Sequence, residues 1–129
     1  MRQRRSIASA VVAGAILLEL LAAGLWAPID GGSVCLLRRA AGIPCPTCGM
    51  TRSVVLTLRG DPAAAFAINP AGPLWVLAAL TLSAGLLWFA WRPGERAKRR
   101  LVMVALAQGF TVAAVLAVHW VRAISRAAL

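Results

Sequence analysis

The sequence predicts an all-α integral membrane protein: three transmembrane helices, with a short interfacial or re-entrant helix pair between the first and second. Three observations lead there. Of the 129 residues, 60% are hydrophobic, and the mean hydropathy is +0.79; soluble domains are typically about 45–50% apolar. The apolar residues fall into three runs near the ~20 residues that cross a hydrocarbon core. The charged residues, net +10, gather at the ends of those runs. That placement is a topology and head-group signal. There is no Tyr, and no aromatic residues are interleaved with the basic ones for base stacking, so nucleic acid is not the expected partner. Residues 1–129 are expected to form a single membrane domain.

Arg2, Arg4 and Arg5 precede the first span, residues 7–26, whose one charge is Glu19. This run is longer than the roughly 7–15-residue core of a signal peptide, so a retained span is expected. Trp26 suits an interfacial anchor, and Pro28 ends the helix. Residues 29–69 form the long motif-bearing loop. It holds a turn at 30–33 and a short amphipathic piece at 34–41 with Cys35, Arg38 and Arg39. A helical pattern then runs from about Gly49 to Leu58 and stops at Arg59-Gly60, with Gly60 suited to the residue after the cap. Asp61-Pro62 reads as N-cap and first helical residue of a second short helix through about Ala67. Asn69-Pro70 breaks it.

The second span is residues 70–91, with Trp75 near one end and Trp88 and Trp91 at the other. Residues 92–100 read as a short basic turn, with Arg92, Arg96, Lys98, Arg99 and Arg100 set against Glu95. The third span is residues 101–121. Within it Ala105, Gly109, Ala113 and Ala117 share a face, which favours close helix packing or a homo-oligomer. Gln108 is a candidate for an interhelical hydrogen bond. Three basic residues precede the first span and five lie between the second and third; four lie in the loop and two follow the third span. That bias places the N-terminus inside and the Cys loop on the outer face.

The chemistry of the chain is concentrated in Cys45-Pro46-Thr47-Cys48-Gly49-Met50-Thr51-Arg52. At a helix start, residues three apart share a face, which suits a dithiol or disulfide. A helix N-terminus and a nearby cation favour thiolate. Helical spacing puts Cys48, Arg52 and Arg59 on one stripe, with Arg52 as thiolate or anion stabiliser. The residues leave several roles open. Cys45 and Cys48 can be a redox pair with Cys35 as resolving thiol, or they can staple a structural turn. The helix amides with Thr51 and Arg52 can hold an anionic lipid phosphate. A metal site would need four ligands, and Cys35, Cys45, Cys48 and His119 are the only set on offer. A lone His at a span end is more often interfacial, so no metal or cofactor is expected. Glu19 inside a span calls for a partner, and Arg52 is the candidate if its helix dips into the membrane. Gly49, Asp61 and Asn69 are expected to support the turn.

The octapeptide at 45–52, followed by Leu58-Arg59-Gly60-Asp61 and by Asn69-Pro70 heading a span, resembles the bacterial membrane family known as domain of unknown function 2752. Cys35-Leu36-Leu37 and Gly42-Ile43-Pro44 fit the same pattern. The resemblance covers roughly residues 25–90. It implies a small multi-pass protein of the bacterial cell (inner) membrane with the Cys motif as its hallmark, and it implies no activity. The chain is too small to enclose a large substrate cavity and has no evident general base or metal centre, so it is expected to be a non-enzymatic membrane module or accessory subunit beside a partner membrane protein. A thiol-disulfide oxidoreductase or redox sensor, and an anionic-lipid or metal site at the turn, are the alternatives.

Overall fold

A computed structural model describes residues 2–27, 40, 45–92 and 94–127. Its elements are helices: α1 (Arg2–Trp26), α2 (Met50–Leu58), α3 (Pro62–Ile68), α4 (Ala71–Trp91) and α5 (Glu95–Ala127). The first, fourth and fifth are each long and apolar enough to cross a membrane. The short α2 and α3 lie between the first two of these in the chain, so the expected all-α architecture is observed. Cys35, Arg38, Arg39, the turn at 30–33 and the Gly-Ile-Pro lead-in at 42–44 lie outside the described residues.

Helix α4 is the hub, touching each of the other four described helices. Its buried residues are Ala71, Gly72, Pro73, Val76, Ala79 and Ser83. Most are small and recur at three- or four-residue spacing, so they form one face. On α1 the buried positions are Ser9, Ala13 and Leu20, also at helical spacing. Lipid tails are as apolar as leucine, so helices in a bilayer associate through close packing and polar contacts rather than through apolar burial. Small residues at the seams provide that close packing. At Gly85 of α4 a Cβ would stand 2.6 Å from Leu101 Cδ1 of α5, and at Gly24 of α1 it would stand 3.2 Å from Leu58 Cβ of α2. Both are points where a bare backbone lets a neighbouring helix in.

Among the described residues, helix α5 touches α4 alone. Met103, Leu106 and Phe110 are 65% exposed or more, so its outer faces are left to lipid. Its 33 residues span about 50 Å at 1.5 Å each, well beyond a ~30 Å core. The basic turn expected at 92–100 is much shorter than predicted, because helix resumes at Glu95. Ala97, Lys98, Arg99 and Arg100 are good helix formers, Glu95 suits a first turn, and the breaking signal is confined to Pro93-Gly94. The helix therefore extends past the 101–121 run at both ends.

Much of the small-residue stripe of α5 faces a groove within the chain. Ala105, Gly109 and Ala113 line a groove of about 580 Å³ shared with α1, α2 and α4, into which Glu19, Trp75 and Gln108 also face. A Cβ at Gly109 would meet nothing within 4 Å, so no helix closes on the stripe there. Gln108 does bridge helices, its Nε2 donating to Thr81 Oγ1 of α4.

Candidate functional site

The motif begins as a turn rather than as helix. The Cys48 N–H donates to the Cys45 carbonyl at 3.1 Å, and the Met50 N–H donates to the Thr47 carbonyl at 3.0 Å. Gly49 caps α2 in the left-handed region, φ 77° and ψ 0°. Side chains rarely adopt that conformation, and a Cβ there would also stand 2.6 Å from Ile68 Cγ2 of α3. Glycine is thus required twice over, by backbone and by space.

This turn corrects the stripe inferred from spacing. The positive φ of Gly49 breaks helical phase, so Cys48 lies before the helix and its four-residue spacing to Arg52 carries no helical meaning. Arg52 and Thr51 are exposed on the first turn of α2. Arg59 points elsewhere: its Nε donates to the Gly24 carbonyl and its Nη2 to the Ala27 carbonyl, both at 2.9 Å. It satisfies acceptors at the C-terminal end of α1, the end where a helix dipole favours a cation. The two cysteines remain close by a different route, since a four-residue turn holds its end Cα atoms within about 7 Å. Cys45 and Cys48 are half-buried and not bridged to each other. Cys45 Sγ and Thr47 Oγ1 share a hydrogen bond at 3.0 Å.

The turn is held from behind by Asn69, which is fully buried. Its Nδ2 donates to the Cys48 carbonyl at 3.2 Å and more weakly to the Pro46 carbonyl at 3.4 Å. Its Oδ1 accepts from the Ala71 N–H at 3.0 Å, one of the orphan donors at the start of α4. One amide therefore ties the Cys turn to the head of the second spanning helix. Ser53, also fully buried, adds a second knot. Its hydroxyl is shared between the Asn69 carbonyl at 2.7 Å and the Ala65 carbonyl at 2.9 Å. Gly72 makes room for it: a Cβ there would fall 2.6 Å from Ser53 Cβ. Asn69 is among the residues expected to support the turn, while Ser53 and Gly72 are not. The one signal for Ser53 was a small polar residue inside the apolar run of α2.

The connection between α2 and α3 forms as its residues predict. The Gly60 N–H bonds the Thr57 carbonyl at 3.2 Å and the Asp61 N–H bonds the Leu56 carbonyl at 3.0 Å. That double pattern is a Schellman C-cap, with Gly60 at φ 87°. Asp61 Oδ1 then caps α3 through the Ala64 N–H at 3.0 Å.

Other proposed members of the site are dispersed. Glu19 lines the groove between the long helices, and no ion pair joins it to Arg52 among the described residues. His119 is on α5, which among the described residues packs only on α4. Among the described residues no three His, Cys, Asp or Glu side chains converge as a metal group would require.

The fold and the turn define the class: a small membrane protein with three membrane-length helices and a buried Asn–Ser knot beneath a Cys-x-x-Cys turn. Residues 35–83 match the model of the family described as "Protein of unknown function (DUF2752)", the family that the octapeptide resembles. The matched segment contains the motif, α2, α3 and the first half of α4. No curated protein and no solved structure matches the chain.

Proposed function

We propose that the chain is a non-enzymatic membrane module, an assembly or accessory subunit, whose Cys-Pro-Thr-Cys-Gly turn is a structural device at the head of α2. The observation that carries this reading is Asn69. A buried amide that hydrogen-bonds the Cys48 carbonyl and the N-terminus of α4 at once uses the turn as a joint between helices. Arg59 on the end of α1 serves the same purpose. The distribution of basic residues favours an inside N-terminus with the turn on the outer face, and the family resemblance suits the bacterial cell (inner) membrane. Replacing both Cys45 and Cys48 with Ser tests the structural role. The expected result is a loss of membrane-inserted, folded protein or a clear fall in its melting temperature. A double variant with unchanged stability and a lost cellular phenotype would overturn this reading.

A second reading has its own support. The Cys45–Cys48 turn holds the thiols close, and the Cys45–Thr47 hydrogen bond orients one of them. Such a dithiol can exchange with a partner protein's disulfide. One thiolate attacks a partner sulfur to give a mixed disulfide. The second thiolate displaces it, leaving the pair oxidised and the partner reduced. Thiol counting on native membranes with an impermeant, mass-adding maleimide, before and after reduction, separates the cases. Labelling only after reduction supports a disulfide on the outer face. Labelling only after permeabilisation overturns the proposed orientation.

A further inference from the structure

At the end of the α4–α5 pair marked by Trp88 and Arg96, far along the chain from the Cys turn, lies a cavity of about 460 Å³. We propose that it binds the phosphate head group of an anionic phospholipid. Arg96 and Arg100 line it. They stand four apart on α5, so their guanidinium groups share a face. Arg96 lies in the first turn of the helix, where the dipole also favours an anion. Among the described residues neither guanidinium is engaged in an ion pair, and planar guanidinium forks match phosphate oxygens in pairs. The remaining wall is apolar. Trp88 and Val104 contribute to it, and Leu101 sits over the bare backbone of Gly85. Arg92, which does not line the cavity, stacks on the Trp88 ring at 5.6 Å.

Charge and greasiness are ordered along α5 as they are along a lipid. Arg96 and Arg100 come first, and Leu101 and Val104 begin the apolar run. At about 30 Å³ per water, the space equals roughly fifteen waters, enough for a phosphodiester and the start of one acyl chain. A free phosphate would satisfy the arginines but leave the apolar wall unused, which is why the lipid is the inferred ligand.

Native mass spectrometry of the full chain in neutral detergent tests this directly. The probes are phosphatidylglycerol, phosphatidylcholine with the same chains, and inorganic phosphate. The wild type is expected to retain phosphatidylglycerol about tenfold over phosphatidylcholine. Arg96→Gln with Arg100→Gln should remove most of that preference. Arg122→Gln with Arg126→Gln, which removes the same charge from the other end of α5, should keep it. Val104→Trp fills the apolar wall without touching charge, and it should lower retention as well. Equal loss in the two Arg→Gln pairs would reduce the effect to net charge and overturn the proposal. So would no preference in the wild type, or displacement of the lipid by equimolar inorganic phosphate.

Discussion

Replacing Asn69 with Ala removes the amide that joins the Cys turn to α4, and its cost can be worked from the contacts. Ala71 is fully buried, so its N–H, now paired with Asn69 Oδ1 at 3.0 Å, would have no water to turn to. An orphaned buried donor costs about 1–3 kcal/mol. The bond from Nδ2 to the Cys48 carbonyl at 3.2 Å is worth about 0.5–1 kcal/mol more, and the 3.4 Å contact to Pro46 adds little at that length. The total is about 2–4 kcal/mol. Ser53→Ala is the natural control. The carbonyls that Ser53 serves already accept backbone N–H groups, Ala65 from Asn69 at 3.0 Å and Asn69 from Gly72 at 3.1 Å. Nothing is orphaned, and the cost should stay near 1 kcal/mol. Thermal unfolding in neutral detergent, followed by helical circular dichroism, reads both. At about 3–6 °C per kcal/mol for a chain of this size, Asn69→Ala should melt roughly 6–20 °C below the wild type and Ser53→Ala only a few degrees below. In a Cys35→Ser background, Asn69→Ala should also speed maleimide labelling of Cys45 and Cys48. Equal melting temperatures for the two variants, with unchanged labelling, would refute the claim that Asn69 holds the turn.

Gly49→Ala should cost about 2–3 kcal/mol in the same assay, from left-handed backbone strain plus the Ile68 clash. Adding Ile68→Ala should fail to restore the wild-type melting temperature, because the strain remains; full rescue would mean the clash alone matters. Arg59→Gln should lower stability by about 1 kcal/mol, and Arg59→Lys should recover only part of that. Full recovery by Lys would show that charge suffices without the two-pronged contact to Gly24 and Ala27. Glu19→Gln and Arg52→Gln should have additive effects within about 0.5 kcal/mol in a double-mutant cycle. A larger coupling would restore the ion pair that the structure does not form.

The elements were largely legible because each is set by local chemistry. The long apolar runs, the Gly60 cap, the Asp61-Pro62 start and the Asn69-Pro70 break all act within a few residues of themselves, and helices form over each run, the last one extending beyond it. What spacing could not supply was phase. Treating Cys48 as helical put it in line with Arg52 and Arg59, but one left-handed glycine resets the count. The partners of Arg59 and Ser53 were hidden for a different reason. Both bond backbone carbonyls of other elements, Gly24 and Ala27 in one case and Ala65 and Asn69 in the other. A carbonyl has no residue type to read. Charge alone makes the basic segment after Arg92 look like a turn, whereas Lys, Arg, Ala and Glu are helix formers even at the edge of a membrane.

The hydrogen bonds described for the Cys turn run between residues 45 and 72, and α1 has already been made when that stretch is synthesised. In the order of biogenesis, the knot therefore has all its parts once the head of α4 has left the ribosome, before any of α5 exists. Chains generally fold from the N-terminal side during synthesis. The long last helix would then dock onto a site that is already closed. A chain truncated after α4 should still protect its turn thiols, and lengthening α5 should leave them untouched.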